Sequence, residues 1–110
     1  MFIKAKGYVV GDAVSIRLVS GEEIIGTMKE ENVATVTLSR PLTIVMQATG
    51  RGEMGLSFGP FMASGPEIVE EVTFSIAALI CMPIKTREDV ASGYKKTVSP
   101  ILTAPTGLVI

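Results

Sequence analysis

The feature that most constrains this chain is a period-two alternation of apolar residues interrupted by two glycines at fixed places. Val14, Ile16 and Leu18 alternate with Ser15 and Arg17 from Ala13 onward, and the pattern stops at Ser20-Gly21. That is a strand and a tight turn. A second strand is expected over Glu23 to Lys29, with Ile24, Gly26 and Met28 on one face. Gly26 in its interior marks a strong bend, because a side chain there would crowd the concave face of a curling sheet.

The polar turn Glu30-Glu31-Asn32 leads into a third strand, Val33 to Leu38, rich in β-branched residues. Ser39-Arg40-Pro41 is the next break, and Leu42 to Gln47 forms a fourth extended segment that Pro41 must open or place on an edge. Residues 54 to 66, with three glycines and two prolines, suit an irregular strand or a packed loop. Val72 to Met82 alternates through Phe74, Ile76, Ala78 and Ile80, which predicts a long strand covered on both sides towards its end.

A single helix is expected over 86–99. Thr86 and Asp89 have capping-box spacing, acidic residues occupy the first turn, and Lys95 and Lys96 fall near the end. Val90, Tyr94 and Val98 form a narrow apolar stripe, and Pro100 is expected to stop the helix. Gly93 weakens it by about 1 kcal/mol relative to Ala, so it needs docking to persist. The uncharged apolar tail over 100–110 is expected to be buried against a neighbouring copy. No fixed period recurs and no linker composition appears, so residues 1–110 read as one domain, with barrel strands over 14–82.

Composition narrows the function. The chain has 110 residues, 47% of them hydrophobic and 19% charged. Its mean hydropathy is +0.46, more apolar surface than a small solitary domain easily hides, so self-association is expected. With no His, one Cys and no Trp, imidazole catalysis, a disulfide framework and a zinc cluster are not expected. Cys81, inside an apolar run, reads as a buried small hydrophobe. The acidic pairs Glu22/Glu23, Glu30/Glu31 and Glu70/Glu71 are strand neighbours that point to opposite faces and cannot share a proton or a metal. Gly50-Arg51-Gly52 is no phosphate cradle, since no Lys-Ser or Lys-Thr pair opening a helix follows it. No enzyme activity and no cofactor are expected.

Ten basic and eleven acidic residues leave a net charge of −1, with no global pull towards polyanions or an anionic membrane. The candidate cations for a local nucleic-acid site are Arg40, Arg51, Lys85 and Arg87. The longest apolar run, Val72 to Ile84, is shorter than the roughly 20 residues of a membrane-crossing helix. Residues Met1 to Val10 lack the apolar core and cleavage site of a secretory signal, so a cytoplasmic protein is expected.

Residues 14 to 46, VSIRLVSGEEIIGTMKEENVATVTLSRPLTIVM, resemble the first motif of the Sm and Sm-like (LSm) proteins. The elements are an apolar alternating strand, Gly21 at the turn, Ile24 and Gly26 in a bent strand, Met28, a polar turn and a β-branched strand. Any SH3-like or OB-like barrel shares part of this geometry. The resemblance implies an all-β fold: a small, strongly bent five-stranded Sm-like (SH3-type) barrel, here with one appended C-terminal α-helix. It also implies a homo-oligomeric ring closed by edge strands and binding of single-stranded RNA. Asn32 and Thr35, with Arg51 and Gly52, would then stand at the inner rim, Asn32 bonding a base edge and Arg51 stacking on or neutralising the nucleotide. The extra strand over 72–82 is similar to that of Sm-like proteins of tailed bacteriophage infecting marine cyanobacteria, which would place the protein in a host cytoplasm. The alternative function is a structural scaffold ring that binds no nucleic acid.

Overall fold

In the computed structural model, residues 7–103 are described, with side chains through Ser99. They form an antiparallel sheet of six strands and a C-terminal helix. The strands are β1 (Ala13–Arg17), β2 (Glu23–Glu31), β3 (Thr35–Ala48), β4 (Met54–Pro60), β5 (Glu71–Ser75) and β6 (Ile84–Lys85), and the helix is α1 (Glu88–Thr103). The sheet order is β4-β3-β2-β1-β6, with β5 also paired to β3. Among the described residues strand pairing does not close the sheet on itself, and there are six strands rather than five. An isolated bridge between Leu18 and Leu79 ties the chain after β5 back to the end of β1.

The first hairpin forms as the alternation requires. Gly21, at φ 108°, turns the chain, and its N–H donates to Leu18 O at 2.8 Å. Gly26 is buried in the bend of β2, where Leu38 and Pro41 of β3 come closest.

Ser39-Arg40-Pro41 does not end a strand. Ile25 pairs with Leu42 and Thr27 with Ser39, so β3 spends one residue more than β2 across this interval. It is a β-bulge, and Arg40 takes the left-handed conformation, φ 48°. Pro41 is fully buried rather than opening a strand or lying on a sheet edge. It is tolerated because β3 changes partner there: Thr35–Ser39 pair with β5 and Leu42–Ala48 with β4. No ladder bond is asked of its missing N–H.

The expected long strand over 72–82 is also different. β5 stops at Ser75, whose hydroxyl accepts from Ala77 N–H and caps a single 3-10 turn, Ile76–Ala78. The chain then folds back on β1, and Cys81 is exposed rather than buried. The helix begins after Arg87, whose carbonyl accepts from Ala91 N–H at 2.9 Å. Thr86 does not cap it; its hydroxyl lies 2.8 Å from that of Ser15 on β1. Nor does Pro100 stop it, since α1 runs on to Thr103. The apolar tail beyond Thr103 lies outside the described residues.

Both faces of the sheet carry apolar side chains. Val14, Ile16, Ile24, Met28, Val36, Leu38 and Phe74 form a core on one side. Ala13, Ile25 and Leu42 form the other with Ala91, Tyr94 and Val98 of α1. The second core holds the helix in place. Tyr94 is wholly buried, meets Phe58 edge-on at 6.4 Å between ring centroids, and donates its hydroxyl to Ser39 O and Arg40 O at 3.0 and 2.9 Å. Thus the stripe of Val90, Tyr94 and Val98 becomes, through Tyr94, the lock on the bulge.

Candidate functional site

Beyond the bulge, β3 and β4 continue as a two-stranded ribbon whose register runs unbroken from Leu42↔Pro60 to Ala48↔Met54. Period two puts Ile44 and Met46 of β3 beside Phe58 and Leu56 of β4 on the face that α1 shares. The opposite side of β4 carries only Gly55, Ser57 and Gly59. The helix begins too late in the chain to cover the whole face. Met46, Met54 and Ile84 are therefore 57, 59 and 62% exposed.

These side chains line connected depressions. One, of about 350 Å³, runs between α1 and β4 past Met54, Leu56, Phe58, Val90 and Gly93. The next, of about 420 Å³, adds Ile44, Met46 and Ile84. A third, of about 310 Å³, reaches Ile80 and Cys81. Charges stand along the rim in pairs: Arg17 with Glu23 at 3.1 Å, Lys85 with Asp12 at 3.9 Å, and Arg87 with Asp89 at 2.7 Å. The Arg87 guanidinium, by hydrogen bonding, holds the Asp89 carboxyl below its usual range. What this surface offers is apolar area with self-neutralised edges, which favours contact with protein rather than with a phosphate chain.

The strand edges are the second component. β4 and β5 each pair with β3 on one side. In β4 no charged residue, internal proline or bulge protects the other side, the usual means by which an edge is kept from pairing.

The residues singled out for RNA do not form one cluster within the chain. Asn32 sits in the β2–β3 turn, where its Oδ1 accepts from the N–H groups of Ala34 and Thr35 at 2.8 and 2.9 Å. Its acceptor is spent on its own turn. Thr35 opens β3 and is half-buried. Arg51 and Gly52 are exposed at the tip of the β3–β4 hairpin, with Gly52 at φ 81°. Asn32 and Arg51 thus flank opposite ends of the fourteen-residue strand β3. Of the other candidate cations, Arg40 faces Glu70 at 3.7 Å, and Lys85 and Arg87 have the carboxylate partners already given.

The apolar ribbon was the part that sequence reasoning missed. Its signal was present as Met54, Leu56 and Phe58 alternating with Gly55, Ser57 and Gly59, but the glycines and prolines of 54–66 masked it. Among the described residues, no group of three or more His, Cys, Asp or Glu is placed to hold a metal ion, and no helix is long and apolar enough to cross a membrane. No protein-family model matches the chain, and no curated protein matches it.

Proposed function

We propose that this protein is a non-catalytic, Sm-like assembly module that works in the cytoplasm as a homo-oligomeric scaffold ring. The observation that carries the reading is the pair of half-used edges, β4 and β5, on one curled sheet. Joining β4 of one copy to β5 of the next satisfies both sets of backbone groups, and a head-to-tail contact of this kind generates a ring when its rotation closes. The bent second strand at Gly26 and the return of Leu79 to Leu18 support an Sm-like form of the sheet. The exposed apolar ribbon beside β4 supports assembly over a solitary life.

The scaffold reading is preferred to single-stranded RNA binding because Asn32 and Arg51 are held apart within a copy and the rim charges are neutralised in pairs. Light scattering at micromolar protein tests the ring: one monodisperse particle of several subunits is expected, and a stable monomer overturns it. Titration with a labelled oligouridine then separates the two functions. A scaffold shows no binding, whereas affinity that collapses with added salt transfers the role to RNA and to Asn32, Thr35, Arg51 and Gly52.

A further inference from the structure

We propose that β4 of one copy and β5 of the next pair antiparallel in one register, with Leu56 opposite Thr73, Met54 opposite Ser75 and Phe58 opposite Glu71. This rests on the joining of β4 to β5 given above and fixes how the two strands align. In an antiparallel ladder the N–H and C=O of one residue point to the same side, and that side alternates along the strand. Glu53 O accepts from Thr49 N–H, so Gly55, Ser57 and Gly59 turn their backbone groups to β3, and Met54, Leu56 and Phe58 turn theirs to the open side. On β5, Glu70 O accepts from Arg40 N–H and Ile76 N–H donates to Ala34 O. Val72 and Phe74 between them therefore face β3, which leaves Glu71, Thr73 and Ser75 to the open side. The two edges match residue for residue.

Three arguments converge on this register. The first is facing. Phe58 packs against Tyr94 of α1, and Thr73 meets Thr37 on that same side of the sheet, away from the core that holds Val36, Leu38 and Phe74. Joining these residues keeps α1 on one side of a sheet that continues from copy to copy. The second is size: on the helix side Met54 and Leu56 meet Ser75 and Thr73, and on the other Gly55 meets Phe74 and Ser57 meets Val72. Large stands against small on both faces. A β4 paired with another β4 would instead set Leu56 against Leu56 on one face and Gly55 against Ser57 on the other. The third argument is the limits of the ladder. A slide of two residues in one direction puts Pro60, which has no N–H, opposite Glu71, and in the other direction it puts the Glu53 carboxylate opposite Phe74. In the register proposed, Glu71 faces Phe58 with its charge already engaged by Lys29.

The test is oxidative cross-linking of the full-length chain with Cys81→Ser, which removes the exposed native thiol. Ser57→Cys with Val72→Cys sets two thiols directly opposite each other between copies. Within one copy these positions lie beside Val45 and Leu38, too far apart along β3 to bridge. The pair is expected to give a ladder of disulfide-linked multimers at least about tenfold faster than Gly55→Cys or Gly59→Cys combined with Val72→Cys, which read the two neighbouring registers. Both glycines have room for a Cβ. Should Val72→Cys lose its native circular dichroism, Leu56→Cys with Thr73→Cys, both exposed, reads the proposed register against Met54→Cys with Thr73→Cys. Equal or faster bridging by a neighbouring pair, in particles of unchanged size, overturns the register and leaves the joining of β4 to β5 in place. Assembled particles in which no pair bridges put the contact on other edges and overturn both, as does a monomer by light scattering.

Discussion

A Cβ placed on Gly26 would lie 2.9 Å from the Cβ of Leu38, closer than non-bonded carbons approach without movement. It would also stand 3.4 Å from the Pro41 Cα, so the obstruction is not the far end of a flexible side chain. The crossing of β2 over β3 depends on this missing methyl. Gly26→Ala is expected to destabilise the fold by about 1–3 kcal/mol through overpacking, read as a lower urea midpoint at unchanged slope.

Tyr94 acts on the same bend from the other side of the sheet. Tyr94→Phe keeps the ring against Phe58 but removes the donor shared by the carbonyls of Ser39 and Arg40. An expected loss of about 1–2 kcal/mol follows from leaving those acceptors short of a partner. Tyr94→Ala, which also empties the space of a wholly buried ring, should cost about 3–5 kcal/mol. Urea unfolding of the two variants separates the hydroxyl from the packing.

Tyr8 makes stability depend on alkaline pH. Burial, reinforced by its hydrogen bond to Glu31 at 2.9 Å, pushes the phenol up to about 12 from an ordinary 10.0. The folded state thus holds the proton more tightly than the unfolded chain does. This contribution is complete below pH 10 and is lost as pH rises from there through 12. Tyr8→Phe should unfold with a shallower fall in stability over that interval, and denaturant midpoints measured at pH 9, 10 and 11 check it.

Assembly should respond to charge on the ribbon without loss of fold. Met54 and Leu56 are 59 and 40% exposed, so Met54→Lys with Leu56→Lys should leave stability within about 0.5 kcal/mol. The same pair puts two like charges on every β4 edge and is expected to shift sedimentation towards the monomer. An unchanged particle size would mean that β4 is not an assembly edge.

The local geometry was largely legible in the residues. The strand from Ala13, the turn at Gly21, the bend at Gly26 and the helical stripe of Val90, Tyr94 and Val98 follow from rules that operate over a few positions. Alternation also says which face a side chain takes, but it does not say where a partner strand ends. Val72 to Met82 alternates throughout, yet the Ser75 hydroxyl offers Ala77 a cap and the strand stops there. Pro41 looks like the end of a strand because it lacks a donor, and the sequence has no means of announcing that β5 and β4 exchange places beside it. The site suffered most from this. The resemblance puts Asn32 and Arg51 at one rim, and only the length of β3 reveals how far apart they are carried.

Ile44 divides β3 into a part that the cores need and a part that they do not. Past Ile44 the ribbon contributes no fully buried side chain. Its tip can therefore gain or lose residues two at a time, one from each strand at each step in pairs that preserve facing, while everything up to Ile44 keeps its place. Variation in length between sister chains should concentrate at Thr49 to Glu53, making this hairpin the adjustable limb of an otherwise fixed body.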